Sequence, residues 1–119
     1  MAERIAQQRS VQSQSLEEEI LRFIEDNIPN KQLCLTMVTD HFRISAPTLQ
    51  KRLSTCVGKT FSAYVEVVRI NRARQLLQET ERTVSEIADA VGYTNANSFY
   101  KAYKRCFGVA PRAERSSKG

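Results

Sequence analysis

The sequence is poor in residues that build covalent or metal-bound frameworks. Its 119 residues include three cysteines and one histidine. Cys34, Cys56 and Cys106 are odd in number, far apart and next to apolar neighbours, so neither a disulfide framework nor a CxxC metal site is indicated. We predict three buried, reduced thiols, and we expect no metal and no cofactor.

Candidate catalytic groups are equally scarce. His41, the single histidine, has no nearby serine, cysteine or paired carboxylate on a recognisable scaffold. We expect it on a helix surface or in the packing between lobes. The acidic run from Glu17 to Glu19 points in several directions around a helix, which favours a helix start over an acid-base or metal cluster. We predict that the protein is not an enzyme.

Long hydrophobic runs are absent as well. No apolar run approaches the roughly 20 residues of a membrane-spanning helix, and the N-terminus is rich in glutamine and serine. We therefore expect a cytoplasmic protein that does not enter a membrane. A composition of 41% hydrophobic and 26% charged residues is typical of a folded domain. The chain length suits a single domain of at most two small lobes.

Acidic residues are few in the C-terminal two-thirds of the chain. Residues 1–44 hold five basic and seven acidic residues, whereas residues 45–115 hold twelve basic and six acidic ones. Lys118 completes the formal net charge of +5. A basic excess of this kind is expected where a surface faces a polyanion, although ordinary solvated surface explains it almost as well.

Helical periodicity runs through most of the sequence. Residues 1–14 lack it and are predicted to be a polar tail or linker before a domain at 15–115. Ser15 and Glu18 match a capping box, which predicts a first helix that ends near Asn27.

Two short helices joined tightly are predicted at 35–58, a candidate helix-turn-helix unit. Ser45 is the expected N-cap of its second helix, and Gly58 ends the unit. A linker helix of about five turns is predicted at 60–78, with Thr60 as its N-cap.

A second helix-turn-helix unit is predicted at 83–107. Thr83 and Glu86 match a capping box at its start. Ala88 is a small residue where the two helices should cross closely, and Gly92 stands where the turn requires positive φ. The outward face of its second helix is then available to a ligand.

Gly108 and Pro111 end the last periodic segment, and residues 112–119 read as polar, with a tail at 116–119. No segment has the period-two alternation of a strand. The predicted fold is all-α, with two helix-turn-helix lobes joined by a long linker helix and about seven helices.

The stretch VSEIADAVGYTNANSFYKAYKRCFGVAP resembles the second helix-turn-helix unit of the AraC/XylS family. The matching positions are Ile87, Ala88, Gly92, Tyr93, Ser98, Phe99, Tyr103, Lys104, Phe107, Gly108 and Pro111. The linker helix is similar at Phe61, Tyr64, Arg69, Ile70, Ala73, Leu76 and Leu77. Leu35 to Gly58 resembles the more variable first unit, so the resemblance covers about Ser15 to Arg115.

The sequence departs from the family pattern at three positions. Thr39 stands where the first unit commonly has alanine, and Arg43 stands where a helix-turn-helix often has glycine. Glu114 replaces the tyrosine of the pattern Pro-x-x-Tyr-Arg. We therefore expect an atypical turn in the first lobe and an altered C-terminal anchoring contact.

The resemblance implies that four residues of each recognition helix meet base edges. They are Ala46, Pro47, Gln50 and Lys51 in the first unit, and Ala96, Asn97, Tyr100 and Lys101 in the second. Amide side chains suit adenine, lysines suit guanine, and small apolar groups suit the thymine methyl. Without the motif, these positions would be ordinary solvent-facing helix residues.

Four further basic residues are placed by the sequence to contact phosphates: Arg52, Lys59, Lys104 and Arg105. Arg69 lies among apolar positions of the linker helix, where a structural ion pair and a phosphate contact are equally open.

The function implied by the resemblance is sequence-specific binding of double-stranded DNA, by a transcription regulator or part of one, with recognition helices in adjacent major grooves. Its implied partners are RNA polymerase and a sensing domain outside this chain. The polar segment before Ser15 favours the C-terminal portion of a longer regulator over a chain that acts alone. A helical protein-interaction adaptor that does not bind DNA is the alternative.

Overall fold

The computed structural model describes the backbone of residues 16–118 and the side chains of residues 16–114. Within that range the chain forms seven helices and no strand. They are α1 (16–26), α2 (Leu35–Phe42), α3 (Ala46–Val57), α4 (Phe61–Glu79), α5 (Val84–Ala90), α6 (Ala96–Phe107) and α7 (Pro111–Lys118). The all-α prediction is confirmed. The predicted tail at 1–14 and the Ser15 cap lie outside the described residues.

Helix starts are set by local side chains, as the sequence predicted. The side-chain oxygen of Ser45 accepts a hydrogen bond from the backbone N–H of Thr48, at 3.3 Å, at the start of α3. Thr60 caps α4 in the same way. Thr83 and Glu86 form the complete capping box of α5. These bonds satisfy N–H groups that have no partner inside the helix.

Two separate hydrophobic cores lie on either side of the middle of α4. The first half of α4 contributes Phe61, Tyr64 and Val65 to a core shared with α1, α2 and α3. The second half contributes Ile70, Ala73 and Leu77 to a core shared with α5 and α6. Since each core is completed by a different part of one helix, α4 joins the two lobes, as predicted for the linker helix.

The seventh helix is a correction to the sequence-based boundaries. The sequence predicts a domain that ends at 115 and a tail at 116–119, but Pro111–Lys118 is one helix, and it packs against α4 and α6. This segment has too few apolar residues to show helical periodicity. Pro111 itself is buried, and its fixed φ suits the first position of a helix.

The prediction of buried cysteines is wrong, because Cys34, Cys56 and Cys106 are all exposed. Cys34 is the N-cap of α2 and lies in extended backbone. On α6 the buried residues are Phe99, Ala102 and Tyr103. Cys106 follows Ala102 by four residues but lies at the edge of this buried face, where it is exposed and its Sγ lies 3.7 Å from Oε2 of Glu66 on α4.

His41 is exposed and its ring stacks on Phe23, with 4.2 Å between ring centroids. This agrees with the predicted place on a helix surface. No helix in the described part of the chain is long and apolar enough to cross a membrane.

Candidate nucleic-acid interface

Each lobe contains two helices joined by a tight turn in left-handed backbone. In the first lobe, Arg43 follows α2 with φ 57° and ψ 45°, and α3 begins three residues later. In the second lobe, Gly92 has φ 97° between α5 and α6. The turn of the first lobe therefore has the left-handed conformation that glycine usually adopts, although Arg43 occupies the position. Replacement of the family's glycine by arginine thus places backbone strain at this turn without changing its conformation.

The first recognition helix, α3, exposes most of the residues predicted to meet bases. Ala46, Pro47 and Lys51 are exposed, whereas Gln50 is half-buried. The Gln50 side-chain carbonyl accepts a hydrogen bond from the backbone N–H of Phe61 at 2.9 Å. Gln50 thus ties the recognition helix to the start of α4 through its carbonyl, and its NH₂ group takes no part in this bond.

The second recognition helix, α6, exposes half of the residues predicted to meet bases. Asn97 and Lys101 are exposed, while Ala96 and Tyr100 are half-buried. The ring of Tyr100 lies 6.3 Å from that of buried Phe99, measured between centroids. The Asn95 side chain caps the helix by accepting from the N–H of Ser98 at 2.8 Å. Asn95 is a cap beyond those predicted from the sequence.

The four predicted phosphate-contacting residues fall into two pairs. Lys59 and Lys104 are exposed. The guanidinium of Arg105 instead binds Glu66 of α4 through two nitrogens, at 2.6 and 3.2 Å. These hydrogen bonds raise the pKa of Arg105.

Arg52 is engaged on the side of α3 that faces the first helix. It is half-buried, and its Nη1 lies 4.0 Å from the Glu17 carboxylate. Its Nε is buried and has no hydrogen-bond partner among the described residues. Arg52 and Arg105 are therefore already in contact with carboxylates, and Lys59 and Lys104 are the more accessible cations.

The charge of the two recognition helices is of one sign. Neither α3 nor α6 contains an aspartate or glutamate. Basic residues lie on both: Lys51 and Arg52 on α3, and Lys101, Lys104 and Arg105 on α6. Two helix faces without a negative charge suit a polyanionic ligand.

The C-terminal anchoring contact is present in altered form. Glu114, which replaces the tyrosine of the family pattern, accepts a hydrogen bond from the Tyr103 hydroxyl at 3.1 Å. Its second carboxylate oxygen lies 3.5 Å from Nε of Arg74 on α4. Burial and this hydrogen bond raise the pKa of Tyr103. Glu114 thus fastens α7 to the second lobe through side chains of two other helices.

Arg69, for which an ion pair and a phosphate contact were both open, binds backbone carbonyls instead. Its Nε donates to Ile28 O at 3.2 Å and its Nη2 donates to Asn30 O at 3.0 Å. The guanidinium also lies 5.7 Å from the centroid of the Tyr93 ring. The apolar residues around Arg69 in the sequence indicate that its guanidinium needs a specific partner. The partners could not be predicted from neighbouring residues, because Ile28 and Asn30 precede Arg69 by 41 and 39 residues.

Comparison with known proteins gives the same architecture. A family model described as "Helix-turn-helix domain" matches residues 38–117. The HTH-type transcriptional activator RhaS of Citrobacter koseri is 30% identical over 94 residues, which is 79% of this chain and 34% of that protein. The chain thus spans about a third of the length of the curated relatives it matches.

Two solved structures illustrate the structural match. A transcriptional regulator with an AraC-type DNA-binding domain from Chromobacterium violaceum is 29% identical, with a TM-score of 0.79 over 92% of this chain and 96% of that one. The C-terminal domain of the response regulator YesN from Fusobacterium nucleatum is 27% identical, with a TM-score of 0.81 over 85% of this chain and 98% of that one. The family match covers more than half of the chain, and these folds agree with it in both lobes. The chain belongs to the helix-turn-helix domain family of AraC-type transcription regulators.

Proposed function

We propose that this chain binds double-stranded DNA sequence-specifically, as a transcription regulator or the DNA-binding part of one, with α3 and α6 in adjacent major grooves. The observation that carries the proposal is the pair of exposed helix faces, each without an acidic residue, held on one connecting helix. An α-helix fits the major groove, where amide, hydroxyl and cationic side chains can distinguish base edges.

The dimensions of the chain suit two neighbouring grooves. The 19 residues of α4 make a helix about 28 Å long. Adjacent major grooves on one side of DNA are roughly 34 Å apart. The two recognition helices differ in sequence, so one chain can recognise two different half-sites. The DNA site therefore need not be a palindrome.

The residues proposed to contact bases remain the two sets of four from the sequence analysis. Lys51 and Lys101 are the cations among them, one in each lobe, and both are exposed. Among the proposed phosphate contacts, Lys59 and Lys104 meet the backbone directly. Arg52 and Arg105 would each have to exchange a carboxylate, Glu17 or Glu66, for a phosphate, so we expect them to contribute less.

The test begins with selection of a bound duplex from a random pool. Lys51→Ala and Lys101→Ala should each relax sequence preference in a different half of the selected site, by about 1 to 3 kcal/mol. Lys104→Ala should weaken binding to all sequences alike. Arg22→Ala, an exposed change of the same charge on α1, is the matched control and should alter neither.

Sedimentation of the complex gives the stoichiometry, and one chain per selected site is expected. Two outcomes would defeat the proposal: a strict complex of two chains on a palindrome, or both lysine changes acting on the same half of the site.

The proposed partners beyond DNA are RNA polymerase and a sensing domain. The supporting observations are that RhaS is named a transcriptional activator and that the chain corresponds to about a third of it. In vitro transcription from a promoter carrying the selected site tests the first partner. An unchanged transcript level with saturating protein would contradict direct activation by this chain.

A further inference from the structure

A second connection between the lobes lies beside the linker helix. It joins the loop between α1 and α2, at residues 28–31, to the segment 89–93 that ends α5 and forms the turn of the second lobe. We call this set of residues, together with Arg69 of α4, the interlobe contact. It is distinct from both recognition faces, and no residue in it belongs to the proposed base or phosphate sets.

Arg69 is the centre of the interlobe contact. Its two hydrogen bonds reach the carbonyls of Ile28 and Asn30, which belong to the first lobe. Its guanidinium lies against the ring of Tyr93, which belongs to the second lobe. A planar guanidinium can make both bonds and face a ring at the same time, whereas a lysine ammonium cannot reproduce that arrangement.

Gly92 brings the two backbones into direct contact at the same place. A Cβ atom added to it would lie 2.3 Å from Ile28 O and 2.9 Å from Nε and Nη2 of Arg69. The turn of the second helix-turn-helix unit therefore packs directly on the loop of the first lobe. At the outer edge, Lys31 of the first lobe forms an ion pair with Asp89 of the second.

The interlobe contact and α4 together restrict the relative orientation of the two lobes more than α4 alone would. Through α4 alone, the lobes are joined along a single helix, and long helices bend. The interlobe contact joins elements that are not neighbours in the sequence, so bending or rotation about α4 would break its hydrogen bonds. The relative orientation of α3 and α6 consequently depends on Arg69 as well as on α4.

We propose that Arg69 is a positioning residue that sets the spacing and helical phase of the two half-sites this protein recognises. The inference rests on the proposed binding of two adjacent grooves. Each base pair inserted between the half-sites rotates one of them by roughly 34 to 36° about the DNA axis. A rigid pair of lobes cannot follow this rotation, whereas a loosened pair can.

The experiment compares Arg69→Lys with the unmodified chain on a selected duplex and on versions with one or two base pairs inserted between the half-sites. The unmodified chain should lose about tenfold or more in affinity per inserted base pair, the loss expected when at least one base contact is broken. For Arg69→Lys the loss should fall to about threefold or less. Arg72→Lys, the same change three residues further along α4, is the matched control and should behave as the unmodified chain.

A purely structural role for Arg69 predicts a different result. Affinity would then fall by the same factor on every duplex, and the ratio between spacings would stay at its unmodified value, which would overturn the inference. Insensitivity of the unmodified chain to spacing would instead overturn the two-groove proposal, and the inference with it. The two failures are distinguishable because the first is seen with Arg69→Lys and the second with the unmodified chain.

A second variant covers the case in which Arg69→Lys does not fold. Asp89→Lys replaces the exposed ion pair with two like charges and leaves the cores intact, since its side chain is 69% exposed. It should also reduce the spacing ratio, and adding Lys31→Glu should restore the ratio by re-forming the pair in reverse. An unchanged ratio in Asp89→Lys would count against the inference.

Discussion

At the scale of single residues, Gly92 is required for two physical reasons at once. Its φ of 97° lies in the region that side chains with a Cβ disfavour, and its Cα lies against the first lobe, where a Cβ has no room. Gly108 has a similar φ of 77°, but nothing lies within 4 Å of the position a Cβ would take. Substitution of Gly108 therefore introduces backbone strain alone, whereas substitution of Gly92 introduces backbone strain and steric overlap.

We predict that Gly92→Ala lowers the free energy of unfolding more than Gly108→Ala does. Backbone strain should cost each variant roughly 1 kcal/mol, and forced separation of the lobes should add about 1 to 3 kcal/mol for Gly92→Ala alone. Urea unfolding of the two variants measures the difference, and the entropy change of the unfolded chain cancels between them. Equal losses would show that the lobes do not pack at Gly92 as described.

At the scale of elements, each short helix depends on its ends. The seven residues of α5 carry a complete capping box, and α3 and α6 both end at a glycine in left-handed backbone. The exception is α2, which ends at Arg43 in that conformation. The backbone N–H groups of Arg43 and Ile44 both donate to Thr39 O, so the end of α2 is properly satisfied despite the strained residue.

Replacement of Arg43 by glycine should therefore stabilise the first lobe. Relief of the left-handed strain is worth roughly 1 to 2 kcal/mol, and the greater freedom of glycine in the unfolded chain offsets about 0.5 to 1 kcal/mol of it. We expect a net gain of up to about 1.5 kcal/mol in thermal or urea unfolding. Asp40→Gly, at an exposed position inside α2, is the control and should bring no gain, with a loss of about 0.3 kcal/mol, because aspartate is itself a poor helix former. A loss of stability in Arg43→Gly would contradict this assignment.

At the scale of the whole molecule, the fold holds two recognition faces of positive charge on one frame. Its acidic residues are absent from α3 and α6, and two of them, Glu17 and Glu66, contact arginines beside those faces. The balance of charge at the proposed interface is thus set by four exposed lysines, two in or next to each recognition helix: Lys51, Lys59, Lys101 and Lys104.

The affinity for duplex DNA should accordingly fall steeply as salt rises, because each lysine that meets a phosphate releases a condensed counterion. Replacement of Lys104 by alanine should make the slope of log affinity against log salt shallower by about one unit. Arg22→Ala should leave the slope unchanged. A flat response in the unmodified chain would favour the protein-interaction adaptor over a DNA-binding protein.

Local sequence information was sufficient for most of the fold. The caps at Ser45, Thr60 and Thr83 and the glycine turn at Gly92 depend on groups within a few residues of one another, so the sequence alone predicted them. Helical periodicity likewise placed six of the helices, because the spacing of apolar residues directly reflects the buried face. The residues proposed to meet DNA came from the family resemblance, and they stay a prediction.

The remaining features depend on residues far apart in the chain, and only the tertiary structure determined them. Nothing near Arg69 in the sequence identifies Ile28 and Asn30 as its partners, and nothing near Arg105 identifies Glu66. Whether Cys106 or Phe107 faces inward depended on where α6 meets its neighbours. The helix after Pro111 has little apolar periodicity and is held by packing on α4 and α6. The sequence by itself thus determined the helices and their ends, whereas packing between distant segments decided how the two lobes are oriented and which basic side chains remain accessible.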